Sequence, residues 1–192
     1  MTTVHSLARH GYQPGLIGRC AAMMSRFYCD RFGLGAAFET ATAQALAHFV
    51  EHFDPQRDAL WWVQRDDEIV GCLGVDGQAP ASVVRRAAQL RWFYLAASKR
   101  GQGLGRRLLG DAIAFARRAG HLSLELTTHG DLQAAVHLYE SAGFACTGAD
   151  AGRHWGRPLI LTHYALPLRT GAGSQVEAPQ APTALRPAAL AA

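Results

Sequence analysis

Three glycines stand at alternate positions in "SKRGQGLGRRLL", residues 98–109, where Gly101, Gly103 and Gly105 follow an apolar stretch and precede a run with helical periodicity. Glycine costs backbone entropy, so this density implies a main chain that something must approach closely. A strand, a glycine turn and a helix N-terminus together form an anion site, because backbone N–H groups converge there and the helix dipole favours negative charge. Lys99, Arg100, Arg106 and Arg107 surround the turn, and a pyrophosphate is the natural guest. Two common phosphate fingerprints do not fit. G-x-x-x-x-G-K-[ST] has no match, and G-x-G-x-x-G fails in both registers, ending on Arg106 or on Leu108. A second chemical pattern, "HFVEH" at residues 48–52, spells H-x-x-E-H and places His48 and His52 one helical turn apart. No convincing third ligand follows it. The stretch therefore reads as the polar flank of a helix whose core side carries Phe49 and Phe53, and no metal is expected.

The elements that must position these residues follow from periodicity. A short first strand is expected within residues 4–10. A helix begins near Pro14, with Leu16, Ile17, Cys20, Met23, Met24, Phe27 and Tyr28 at helical spacing and Gly33 after its end. A second helix is expected over about 38–53, then a hairpin around Asp66-Asp67 and a loop over 78–87. "AQLRWFYLAA" predicts a strand that leads into the glycine turn, and residues 104–119 predict an amphipathic helix. "HLSLELTT" predicts the next strand, in which Ser123 and Glu125 alternate with leucines. Asp131 is placed to cap a helix that runs to Ala142, and two last strands near 144–148 and 159–168 flank the loop "ADAGRHWGRP".

At 192 residues the chain suits one domain, and a net charge of +4 by itself suits phosphate-bearing small molecules as well as nucleic acid. Taken with the rest of the sequence, neither nucleic acid nor a membrane is an expected partner. "MTTVHSLARHGYQPG" contains no continuous apolar run, and Cys20, Cys29, Cys72 and Cys146 form no CxxC pair. These features lead us to expect a cytoplasmic protein with reduced, mostly buried thiols. Residues 1–169 are read as the domain, and the Ala/Pro-rich segment 170–192 as a disordered tail.

"RGQGLG" matches the R/Q-x-x-G-x-G/A motif of the GNAT superfamily of N-acetyltransferases. "FYLAASKRGQGLGRRLL" followed by "AVHLYESAGF" resembles that family's motifs A and B, in order and at their usual separation. From about Tyr12 to Leu168 the chain is similar to the acetyltransferase domain of bacterial MarR-type regulator fusions. That closer likeness is carried by "FGLGAAFE", "FDPQRDALW", "LRWF" and "RHWG", and the chain looks like a free-standing version.

The resemblance implies an α/β (α+β) fold: a mixed, mostly antiparallel sheet of six or seven strands, helices on both faces, and splayed strands 4 and 5. It implies acetyl-CoA as co-substrate and a primary amine of a small molecule or short peptide as acceptor, with a homodimer left open. Main-chain groups near Leu95 and Ala97 would pair with the pantetheine. Arg100, Gly101, Gln102, Gly103, Leu104, Gly105 and Arg106 would hold the pyrophosphate. Tyr139 occupies the position of the proton donor to the departing thiolate. Many relatives place a glutamate on the fourth strand, but "AQLRWFYLAA" has no acid, so the base stays open between Glu125, Glu39 and His129. Arg153, His154 and Trp155 lie in a loop that could line the acceptor pocket. The alternative is a non-catalytic acetyl-CoA-binding sensor or interaction module.

Overall fold

The computed structural model describes residues 8–78 and 86–168. The expected tail, and the expected strand before Ala8, lie outside the described residues. A seven-stranded sheet runs in the order β1-β2-β3-β4-β5-β7-β6. Its strands are β1 (Ala8–His10), β2 (Ala59–Arg65), β3 (Glu68–Asp76), β4 (Ala87–Leu95), β5 (Ser123–His129), β6 (Ala145–His154) and β7 (Arg157–Pro167). Helices α1 (Leu16–Phe32) and α2 (Ala36–Glu51) cover one face, while α3 (Leu104–Arg118) and α4 (Gln133–Ser141) cover the other. Among the described residues, no helix is long and apolar enough to cross a membrane.

Each face has its own core. Leu108, Leu109, Ala112, Ile113 and Ala116 of α3 pack on Val63, Leu73, Val75 and Leu90, joined by Tyr139 of α4. Opposite, Leu16, Cys20, Met24 and Tyr28 of α1 meet Phe38, Leu46 and Phe49 of α2 over Leu60, Trp62, Cys72 and Trp92. α1 ends at Gly33, whose left-handed φ of 65° lets its N–H and that of Leu34 bond the carbonyls of Cys29 and Tyr28.

Two features of β4 shape the site. Every neighbouring pair in the sheet is antiparallel except β4 and β5, which pair in parallel over only three rungs, the last being Gln89–Glu125. Beyond that rung the strands part. The second feature is a bulge: Cys72 faces Tyr94 and Gly74 faces Arg91, so Leu73 opposes both Trp92 and Phe93. Trp92 takes a φ of 53°, which is rare for a bulky residue. The extra residue moves Phe93 and Leu95 onto the α3/α4 face with Ala88 and Leu90, and turns Trp92 and Tyr94 toward α1 and α2.

Several expectations need correction. "ADAGRHWGRP" is not a loop: β6 runs through it and turns back at Trp155-Gly156, both at positive φ (48° and 80°), so that His154 pairs with Arg157. Glycines and small polar residues suggested a turn, but pairing with β7 satisfies their backbone groups and overrides that preference. Asp131 does not cap α4, whose N-cap is Leu132 without a side-chain bond. Two cysteines, Cys20 and Cys72, are buried, but Cys29 and Cys146 are exposed. The Asp66-Asp67 turn forms as expected, with Arg65 opposite Glu68.

Candidate active site

Where β4 and β5 part, a cleft of about 1180 Å³ opens. Its walls come from α1 (Phe27, Arg31, Phe32), from β4 (Phe93, Tyr94, Leu95), from the glycine turn and from α4. One cleft thus receives residues from both faces of the sheet, which only the parting of β4 from β5 allows.

The glycine turn forms one end. Gly101 and Gly103 have φ values of 73° and 76°, and a Cβ on either would meet nothing within 4 Å. Glycine is required at both by backbone conformation, and the space beside them stays open. Gly105 differs: a Cβ there would lie 3.4 Å from Leu138 and Leu95 side chains, so its role is close packing of α3. Gly103 is the N-cap of α3, and among the described residues no side chain caps this helix. The first-turn N–H groups of Leu104, Gly105 and Arg106 therefore have no intrahelical acceptor and carry the positive end of the helix dipole. Arg106 lines the cleft, whereas Gln102 is exposed and its amide bonds the Ser98 carbonyl.

Arg100 behaves unexpectedly. Its Nε donates to the Leu95 carbonyl at 2.9 Å, and its guanidinium lies over the rings of Phe27 (5.3 Å) and Tyr94 (5.7 Å). It therefore covers the strand-end acceptor expected to take the pantetheine. Ala97 has left the strand for a short 3₁₀ turn, and its carbonyl accepts the Arg100 N–H. Extended pairing along β4 stops at Leu95.

The residues expected to do chemistry sit unequally. Tyr139 is wholly buried, its ring against Phe93, Phe144 and Tyr164, and burial raises its pKa far above the ordinary phenol value. It lies behind Phe93 rather than on the cleft surface. Glu125 occupies the last β4–β5 rung, beside the cleft rather than in its lining, and accepts from Gln89 Nε2 at 3.1 Å and from Ser123 Oγ at 3.4 Å. Glu39 is exposed in the first turn of α2, favourable for that helix's dipole, and does not line the cleft. His129 stacks on Phe32 (4.3 Å) and its Nδ1 accepts the Asp131 N–H; burial lowers its pKa, with Asp131 opposing and Arg31 assisting. Trp155 sits edge-on to Phe38 at 5.2 Å, at the tip of the β6–β7 hairpin. His48, Glu51 and His52 do cluster, exposed on α2, with ligand atoms within 4.8 Å of one another.

Position 91 on β4 holds a cation. Arg91 is paired to Asp76 of β3 at 2.6 Å, both nearly buried, and its guanidinium lies 4.4 Å over the Trp92 ring. Sequence reasoning missed this pair, the aromatic wall of Phe27 and Phe32, and Tyr28. Helical spacing marked Phe27 and Tyr28 only as core positions.

The model of the acetyltransferase (GNAT) family matches residues 22–144. The chain belongs to that family. Among curated relatives it is 29% identical over 126 residues to N-acetyltransferase 8 of Rattus norvegicus, covering 64% of this chain and 57% of that one. It is 28% identical over 102 residues to N-acetyltransferase 8B of Homo sapiens, covering 53% and 45%. The chain thus spans about half the length of these relatives. Among solved structures, a ribosomal-protein-alanine N-acetyltransferase from Brucella melitensis matches with a TM-score of 0.66 at 21% identity, covering 84% of this chain and 99% of that one. A chain from Salmonella typhimurium solved with acetyl-CoA matches equally, at 0.66 and 20%, covering 89% and 98%. These likenesses show that the GNAT fold is present.

GNAT acetyltransferases use acetyl-CoA, and the residues here fit it. The turn at Gly101 and Gly103 leaves open space, the α3 N-terminus is uncapped, and Arg106 adds positive charge beside it. The Leu95 carbonyl at the end of β4 is held by Arg100 Nε.

Proposed function

We propose that the chain transfers an acetyl group from acetyl-CoA to a primary amine of a small molecule or short peptide, by direct attack with both substrates bound. The observation that carries this reading is the uncapped N-terminus of α3, which opens with its glycine turn onto a cleft passing between two parting parallel strands. Acetyl-CoA supplies the acetyl group as a thioester. In the transfer a C–N bond forms and the C–S bond breaks. The sulfur leaves with the electron pair and gains a proton, and the amine loses one.

The chain's own residues divide the work. First-turn N–H groups of α3 with Arg106 hold the pyrophosphate, and the Leu95 carbonyl takes a pantetheine amide. Tyr139, at the family's donor position behind Phe93, is assigned the proton for the departing sulfur; burial raises its pKa and so holds the phenol in its protonated form. Glu125, on the α1/α2 side where the strands begin to part, is the favoured acceptor of the amine proton, through water. Glu39 and His129 fit less well, one exposed and the other committed to Asp131.

A second reading, an acetyl-CoA-binding sensor, draws support from β4, which carries no acid and instead holds Arg91 paired to Asp76. The likeness to domains fused to MarR-type regulators points the same way. One pair of measurements decides. Coenzyme A should raise the melting temperature by several degrees while NAD and ATP do much less. Acetyl-CoA with a panel of primary amines and dipeptides should release free thiol. An equal response to NAD would overturn the ligand, and binding without thiol release would favour the sensor.

A further inference from the structure

We propose that Tyr28 is a catalytic residue whose hydroxyl donates a hydrogen bond to the acetyl carbonyl oxygen of bound acetyl-CoA. This rests on the acetyl-transfer reading above. Tyr28 is fully buried on the inner face of α1, and among the described residues its hydroxyl has no hydrogen-bond partner. A buried hydroxyl left unpaired is a cost that phenylalanine would avoid in the same space, so the group fits a partner that arrives with the ligand.

Its position says which partner. The ring is held by Phe27 (5.2 Å), Phe32 (5.6 Å) and Phe38 (4.7 Å), and the first two line the cleft. The phenol lies within electrostatic reach of Tyr139, Arg100 and Tyr94. α1 and α4 cover opposite faces of the sheet, so the path between Tyr28 and Tyr139 runs through the gap that opens beyond the Gln89–Glu125 rung. One phenol therefore lies on each side of the gap, Tyr28 beneath the wall of Phe27 and Phe32 and Tyr139 behind Phe93. With Tyr139 assigned to the sulfur, Tyr28 is left to face the oxygen on which negative charge develops. Burial also raises the Tyr28 pKa well above the ordinary phenol value, which keeps it a donor.

Arg100 links this donor to occupancy of the cleft. Its guanidinium lies over Phe27 and Tyr94 while its Nε holds the Leu95 carbonyl. A pantetheine amide that takes Leu95 displaces Arg100 and uncovers the floor beside Tyr28.

The test is Tyr28→Phe, read by infrared difference spectroscopy with acetyl-CoA carrying ¹³C at the acetyl carbonyl. The native chain should lower the bound carbonyl frequency relative to free acetyl-CoA, and the variant should lose most of that shift. Tyr139→Phe should keep it. Melting temperature of Tyr28→Phe should stay level or rise, because an unpaired hydroxyl has gone, and acetyl-CoA affinity should change little. With an amine that releases thiol, kcat should fall by roughly 10²-fold, as for loss of one oxyanion donor. Equal carbonyl frequencies in native and Tyr28→Phe chains, both saturated, would overturn the assignment. Failure of the native chain to bind acetyl-CoA would overturn the acetyl-transfer reading along with it.

Discussion

The two ends of the cleft are built of different material. The proposed phosphate end is main chain: a left-handed turn at Gly101 and Gly103 and the bare N–H groups of α3. At the proposed reaction end stand two fully buried phenols drawn from distant segments, Tyr28 of α1 and Tyr139 of α4. Main-chain recognition needs only local conformation, and altering it removes binding while sparing the cores. Side-chain chemistry is set into those cores, so its groups are constrained by packing as much as by reaction.

The largest effect expected is on stability, beside the reaction end. Asp76→Ala leaves Arg91 nearly buried without its counter-ion, and loss of one partner of a buried pair costs about 3 kcal/mol or more. Denaturant unfolding should show it, with the coenzyme A response retained if the phosphate end is independent.

Gly103→Asp acts on the other end. Asp tolerates left-handed φ but puts a carboxylate where the pyrophosphate sits. A saturating ligand at 100 times its Kd adds roughly 2.7 kcal/mol, and that increment should vanish while the unliganded melting temperature barely moves. Gly105→Ala, whose Cβ would meet only Leu138 and Leu95 side chains at 3.4 Å, should keep most of it. Loss of the increment in both variants would erase the distinction between those glycines.

Tyr139→Phe should lower kcat by about 10²-fold with coenzyme A affinity unchanged. Because burial carries the phenol's ionisation upward, the native rate profile should show no alkaline limb from this group. An unchanged kcat, measured where chemistry limits the rate, would return Tyr139 to the core.

The smallest effect is on pH dependence. Burial lowers the pKa of both His10 and His129, so the folded chain binds fewer protons than the unfolded one near their titration. Stability should therefore be full above the ordinary histidine value of about 6.5 and fall on acidification through it. Unfolding midpoints at pH 7.5 and 5.5 would measure this, and His129→Asn should shrink the difference.

The same contrast explains what the sequence disclosed. Gly101 and Gly103 could be read because only glycine adopts that turn cheaply, and the strand–turn–helix order around them is local. The Asp66-Asp67 hairpin was legible for the same reason. Tyr28 was visible only as one apolar position among several, since its meeting with the α4 side depends on strands parting far along the chain. The later part of β6, from Ala149, reads as a loop because an exposed edge strand carries neither burial nor alternation to announce it: nearly all its residues are exposed. Glu125 was correctly placed on its strand, but that it sits at the last rung before the gap came only from pairing with Gln89.

The single inserted residue at Trp92 acts as a change of phase. Strict alternation from Ala88 and Leu90 would carry Trp92 and Tyr94 to the side of α3, leaving Phe93 and Leu95 under α1. Instead the parity flips midway, and the strand serves two masters: before the bulge it is ordinary packing, after it Leu95 points its side chain at α3 while Tyr94 walls the approach to α1. Deleting that residue would keep every pairing partner available and every apolar residue apolar. The chain would still have a sheet to join, with its binding strand facing the wrong way.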